Sequence, residues 1–248
     1  MASPVAPTPE APASTNSFGR IFGALFSPKA TFASIAARPT WLAPLLVLFV
    51  LSIAVIAIFG QRVGWHDFMV RQIENSSRTA QMPAEQKSQI IAQEEKFAPI
   101  VAYVSIVVVT FVIPLIIAAI FMGVFNVVGG TKVGFKTSLG IVCYGWTPGI
   151  VTGLLGILIL FLKDPSTVDI QNLVASNPAV FLADGSPKWL VSLLRSLDIF
   201  SFWMMILMAF GYSATNPKKL SFGKAFGSIL AIWVIYVVVK VGLAAAFS

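Results

Sequence analysis

Few side chains in this sequence could do chemistry, so the first question is which of them could act together. There is one histidine, His66, and one cysteine, Cys143. A zinc site needs three or four His, Cys or carboxylate ligands, which these two cannot supply, and one cysteine forms no internal disulfide. Cys143 lies in an apolar run and reads as a small buried hydrophobe. No G-x-S-x-G elbow is present, and a Ser–His relay would have to use His66, which falls in a polar stretch and reads as a solvated loop residue. Gly129-Gly130-Thr131-Lys132 has the look of a phosphate loop but not the G-x-x-x-x-G-K-[ST] spacing or the preceding strand. It reads as a helix end and tight turn. No enzymatic activity, cofactor or metal is expected.

Two charges stand out by their depth. Asp198 opens one apolar run and Lys240 lies inside another, within Val237–Leu243. A charge within a span is costly unless it is paired or hydrated. Either the two form an ion pair lining a polar cavity or lipid-headgroup site, or Lys240 snorkels to the interface while Asp198 is solvated at a helix end. Pro114 and Pro148 interrupt two further apolar runs and predict kinks. Because broken helices can line a substrate path, these prolines and Asp198 mark where a permease or channel would place one.

The elements that must position these residues are long apolar helices. Of 248 residues, 57% are hydrophobic and 11% charged, with mean hydropathy +0.86. A soluble domain carries roughly 25% charged residues, and several runs here exceed the roughly 20 apolar residues that a bilayer span needs. The net charge of +7 comes from residues flanking those runs, which points to membrane orientation rather than to a nucleic-acid partner.

Residues 1–16 carry Pro4, Pro7, Pro9 and Pro12 among small residues and are expected to be a disordered cytoplasmic tail. Residues 17–38 form an amphipathic segment, with Phe18, Ile21, Phe22, Leu25 and Phe26 at helical spacing. Ser27-Pro28 reads as an N-cap and first helical position, opening a second short helix with Phe32 and Ile35. This segment, with its phenylalanines Phe18, Phe22, Phe26 and Phe32, either lies in the membrane interface or packs on the cytoplasmic end of the bundle. Five spans follow, at about Trp41–Phe59, within Pro99–Val128, at about Leu139–Leu162, at about Leu197–Tyr212 with a possible extension back to Trp189, and at about Phe222–Phe247. Residues 83–97 form a polar helix before the second span. Gly145, Gly149 and Gly153, with Gly156 following, line one face of the third span and admit a close neighbour, within one chain or between chains.

Loop charges orient this bundle. Arg20, Lys29 and Arg38 precede the first span, Lys132 and Lys136 follow the second, and Lys218, Lys219 and Lys224 follow the fourth, with no acidic residue beside them. The 60–97 and 163–196 segments balance their charges. Basic and neutral segments alternate, which places the N-terminus in the cytoplasm and the C-terminus outside an inner, cytoplasmic membrane.

Several phrases also stand in a familiar order. Phe26-Ser27-Pro28-Lys29-Ala30-Thr31-Phe32 is followed by Pro39-Thr40-Trp41 and Pro44. Gly130 with Phe135-Lys136 leads to Tyr144-Gly145-Trp146-Thr147-Pro148. Leu197-Asp198-Ile199-Phe200-Ser201-Phe202-Trp203 leads to Gly211-Tyr212-Ser213. Over about residues 18–246 this resembles the bacterial Yip-domain family. The resemblance implies an all-α, polytopic five-helix domain, here residues 39–248, with a cytoplasmic N-terminal region. It carries no enzymatic activity. Eukaryotic relatives associate with small Rab-type GTPases, but their Asp-Leu-Tyr-Gly-Pro signature is absent here, so no GTPase partner is expected. The expected function is that of a membrane scaffold in contact with the bilayer and with a membrane-protein partner or a second copy. A permease is the alternative. A reporter fused after Ser248 should prove extracytoplasmic and one fused in the 213–224 turn cytoplasmic; a cytoplasmic C-terminus would break the alternation on which the topology rests.

Overall fold

A computed structural model describes residues 16–74, 76, 79, 81–183 and 185–246, and among them there are helices and turns but no strand. The expected tail lies outside the described residues apart from Asn16, whose Oδ1 accepts from the Gly19 amide at 2.6 Å and so opens the first helix. Helices α1 (Gly19–Phe26) and α2 (Pro28–Ala37) form a hairpin, followed by α3 (Leu42–Arg62) and α4 (Trp65–Glu74). Helix α5 (Ala84–Val107) runs through a π-turn at Val108–Val112 into α6 (Ile113–Val127). Helices α7 (Phe135–Gly145) and α8 (Pro148–Leu162) follow, then three short 3-10 turns, α9 (Lys188–Ser196), α10 (Ile199–Thr215) and α11 (Phe222–Ala246).

Four of these rods are long and apolar enough to cross a membrane: α3, the 44-residue α5–α6, the 28-residue α7–α8 and the 25-residue α11. Helices α9 and α10, bent by 44° at their break, make a fifth where the pair is counted as one span. The straight extension back to Trp189 does not occur, because the chain leaves helical geometry at Leu197 and Asp198. Asp198 restarts the helix as its N-cap, Oδ1 accepting from the amides of Phe200 at 2.9 Å and Ser201 at 3.1 Å. Ser27, by contrast, makes no side-chain cap although α2 does start with Pro28.

Each proline leaves a carbonyl to satisfy, and the way that is done shapes the helix. Pro114 has no N–H for the Thr110 carbonyl, and its ring crowds that oxygen. The helix widens just before it, the Ile113 amide bonding five residues back to Val108 O, so the expected kink is realised as a π-turn. At Pro148 the orphaned carbonyl is that of Tyr144. It accepts from Thr147 Oγ1 at 2.8 Å and from the Thr147 amide at 3.2 Å, and α7 ends there. Pro99 does not stop α5, so the polar 83–97 helix and the second span are one rod. At 1.5 Å per residue its 44 residues reach about 66 Å, against a hydrocarbon core of about 30 Å.

The main core lies at the end of the bundle that carries α1 and α2, hereafter the hairpin end. Phe32 and Ile35 of α2, Phe125 of α6, Ile141 and Tyr144 of α7 and Tyr212 of α10 are fully buried there. Buried hydroxyls are paired: Tyr212 donates to Ser138 Oγ at 2.6 Å, and Ser138 donates to Ala118 O at 2.7 Å. A smaller core of Phe59, Val63, Leu160 and Val168, edged by Trp65 and Phe68, closes the opposite end. Glycines set the spacing. A Cβ at Gly153 would come 2.5 Å from Leu51 Cδ2, and one at Gly149 3.1 Å from Leu48 Cδ2. Gly145 abuts Met208, and Gly156 abuts Leu173. The glycine row therefore packs within the chain. At Gly140 the neighbour is backbone, Thr40 O at 2.9 Å from the missing Cβ, which cannot yield as a side-chain tip can.

Helix α4 folds back on the start of α5 and places His66, expected in a loop, on a helix with Nδ1 2.8 Å from Glu95 Oε2. The hydrogen bond to Glu95 raises the imidazole pKa above its usual 6.5, burial opposes this, and the charges of Glu95 and Asp67 add to it. A raised folded-state pKa gives stability that is fully present below pH 6.5 and lost as pH climbs through the folded value. Since His66 is the sole histidine, one imidazole resonance reports the contact. Its midpoint should fall in a Glu95→Gln variant, and unchanged midpoints would show that the contact is not made. Gly140→Ala should lower stability in detergent by on the order of 1–3 kcal/mol. Gly227→Ala, with nothing within 4 Å of the added carbon, should be neutral or mildly stabilising. Equal thermal shifts for the two glycine variants would contradict the packing.

Candidate functional site

At the hairpin end the local sequence of α1 puts a cation on the inward side of a short apolar helix. Arg20 is 6% exposed, and no described carboxylate forms a salt bridge with it. Its Nη1 donates to Arg38 O at 2.8 Å and to Thr40 Oγ1 at 3.1 Å, and its Nη2 reaches Ser34 O at 3.5 Å. Those carbonyls stand at the end of α2, where the helix dipole is negative; Ser34 O also accepts from the Arg38 amide at 2.9 Å. The chain of bonds continues: Thr40 donates to the Tyr144 hydroxyl at 3.1 Å, and Tyr144 donates to Ser17 O at 2.8 Å. Arg20 thus ties α1 to the end of α2, and Tyr144 ties both to α7.

With its inner face so fixed, α1 turns Phe18, Phe22 and Phe26 outward, 57%, 66% and 80% exposed. Their spacing of four residues keeps them on one stripe. Phe32 does not join them. It is fully buried, its ring 2.9 Å from where a Cβ on Gly211 would stand, so it is a core residue between α2 and α10. Of the two readings of residues 17–38, α1 fits an exposed apolar face and α2 fits packing on the bundle.

The opposite end holds a cavity of about 990 Å³ between α3, α8 and α10, roofed by the 170–177 segment and α9. Asp198 and Lys240 both line it, yet they do not pair. Lys240 Nζ donates to Ser196 Oγ at 3.0 Å. Asp198 is occupied by its capping bonds, and its other oxygen accepts from Ser176 Oγ. The capping geometry explains this: the carboxylate is drawn onto the α10 amides rather than across the cavity. Gly149, Gly153 and Gly156 form part of the wall, whereas Pro114 and Pro148 are buried elsewhere and do not line it. No lining residue belongs to α1, α2, α6 or α7, so the cavity ends before the packed core. Among the described residues no cluster of three His, Cys, Asp or Glu could hold a metal.

Two functional features escaped the sequence reading. Arg20 looked like one of several flanking cations, although its setting between Gly19 and Ile21 in an apolar helix was a visible signal. Asn177, 9% exposed with a buried Oδ1 that has no partner, lies in an irregular segment with no periodicity to mark it.

The family model described as Yip1 domain matches residues 22–243, which spans everything from the middle of α1 to near the end of α11. No curated protein matches the chain, and no solved structure does. An all-helical integral membrane protein whose matched region takes in both the hairpin and the bundle, this chain belongs to the Yip1-domain family.

Proposed function

We propose that the chain is a non-enzymatic scaffold of the cytoplasmic membrane, its hairpin end facing the cytoplasm, which organises the bilayer or a membrane-protein partner through the outer face of α1. The observation that carries this is the exposed Phe18–Phe22–Phe26 stripe on a helix whose inner side is held by Arg20. Lys29, Lys132, Lys136, Lys218, Lys219 and Lys224 are exposed around the same end. Apolar rings ringed by cations suit an anionic lipid surface, where each cation adds to the attraction. A permease needs a path through the bundle, and a cavity without lining from α1, α2, α6 or α7 favours the scaffold.

The test uses the full chain in proteoliposomes. A spin label on Phe22→Cys, with Cys143 buried, should report headgroup-level immersion, and the vesicles should stay impermeable to small solutes. In native membrane, a crosslinked second copy or membrane-protein partner should be lost from the triple variant Phe18→Ser, Phe22→Ser, Phe26→Ser while the bundle remains folded. A water-exposed label or protein-dependent solute flux would sink this reading.

A further inference from the structure

The cavity opposite the hairpin end has two chemically unlike parts. Its floor is apolar, formed by Leu48, Leu51 and Ile56 of α3 with Ile106 of α5, where Leu48 and Leu51 pack against Gly149 and Gly153 of α8. Its rim carries Arg195 and Lys240. A volume of about 990 Å³ is at the upper end of small-molecule sites, roughly 300–1,000 Å³. That is generous for a small polar solute, which would gain nothing from the apolar floor.

The partners at the rim leave specific groups available. Asp198 also lines the cavity, its oxygens directed to the α10 amides and Ser176 Oγ rather than to Lys240. Arg195 pairs with Asp169 at 2.7 Å through Nη2 and reaches Gln171 Oε1 at 3.3 Å through Nη1, but its Nε is buried without a partner. Lys240 has a neutral hydroxyl, Ser196 Oγ, as its hydrogen-bond partner. It stands six residues before the end of α11, about 9 Å inside the span, where an uncompensated ammonium is costly. Asn177 lines the same cavity; its Nδ2 donates to Asn172 Oδ1 at 2.7 Å, while Oδ1 is buried with nothing donating to it. The rim therefore offers positive charge for an anion and one buried acceptor for a hydroxyl.

We infer that this cavity holds one anionic phospholipid whose headgroup carries a hydroxyl, drawn from the leaflet at that end. Its acyl chain lies along Leu48, Leu51, Ile56 and Ile106, its phosphate meets Lys240 and Arg195, and its headgroup hydroxyl donates to Asn177 Oδ1. The phosphate supplies the counter-charge that Lys240 lacks within the protein. This site is independent of the α1 face and stands or falls separately from the scaffold reading.

The full-length protein in detergent is titrated with phosphatidylglycerol, phosphatidylcholine and inorganic phosphate, and bound adducts are counted by native mass spectrometry. One phosphatidylglycerol should bind at least about tenfold more tightly than phosphatidylcholine, the equivalent of about one charge pair. Lys240→Met should erase that preference, Lys240→Arg should keep it, and Ile56→Trp should weaken both lipids about tenfold by filling the floor. Inorganic phosphate at millimolar level should not displace the lipid. Equal binding of the two lipids, or binding indifferent to Ile56→Trp in a protein of unchanged melting temperature, would overturn the site and leave Lys240 as a snorkelling residue. Displacement by phosphate alone would show a free-anion site instead. If Lys240→Met fails to fold, Lys240→Arg and Ile56→Trp still decide the matter.

Discussion

The arrangement of the hairpin end depends on a guanidinium buried with no acid beside it. In a low-dielectric setting such a charge is tolerated only where its surroundings already carry the opposite sign and enough acceptors. The end of α2 provides the negative end of the helix dipole and the Arg38 carbonyl, with Ser34 O shared between Nη2 and the Arg38 amide, while Nε stays buried without a partner. Arg20 takes that position. Once it does, α2 has a fixed end, the turn to α3 is held at Thr40, and Tyr144 of α7 closes the chain onto Ser17. Phe32 then enters the space that Gly211 leaves open on α10. The outward face of α1 is a consequence of what its inward face must satisfy.

The same demand for paired backbone groups governs the helix breaks. Without water in the hydrocarbon, a carbonyl deprived of its partner must find another inside the protein. Pro114 and Pro148 meet this differently. One widens its helix by a residue, and the other ends a helix and hands its carbonyl to a threonine side chain. The difference lies in the neighbour: Thr147 directly precedes Pro148 and its hydroxyl folds back, whereas Val112 and Ile113 before Pro114 have none to offer. Asp198 belongs to the same account, because its capping of α10 is what takes it out of reach of Lys240.

Legibility followed the physics of each feature. The spans could be read because apolar length is a one-dimensional quantity, and α3 and α11 lie close to where hydropathy puts them. The hinge between α9 and α10 was half visible, since an aspartate two residues before an aromatic run is a capping signal. The restart at Ser27-Pro28 was legible, but which of the two short helices packs on the bundle was not, because Phe32 is buried by Gly211 of α10, far along the chain. The glycine row could be seen but not its partners: that Leu51 fills the notch at Gly153 depends on how α3 crosses α8. Asp198 and Lys240 were recognised by depth, yet pairing is decided by which nearer donors compete for the carboxylate.

The length of the α5–α6 rod has one more consequence. The turns before Pro99, residues 84–98, stand about 22 Å along the axis beyond the apolar stretch, and α4 buttresses them through His66 and Glu95. A stiff post of that height acts as a spacer. Because α4 packs along the start of α5, the post is two helices thick at its tip, and its height is held by side-chain packing rather than by a lone helix.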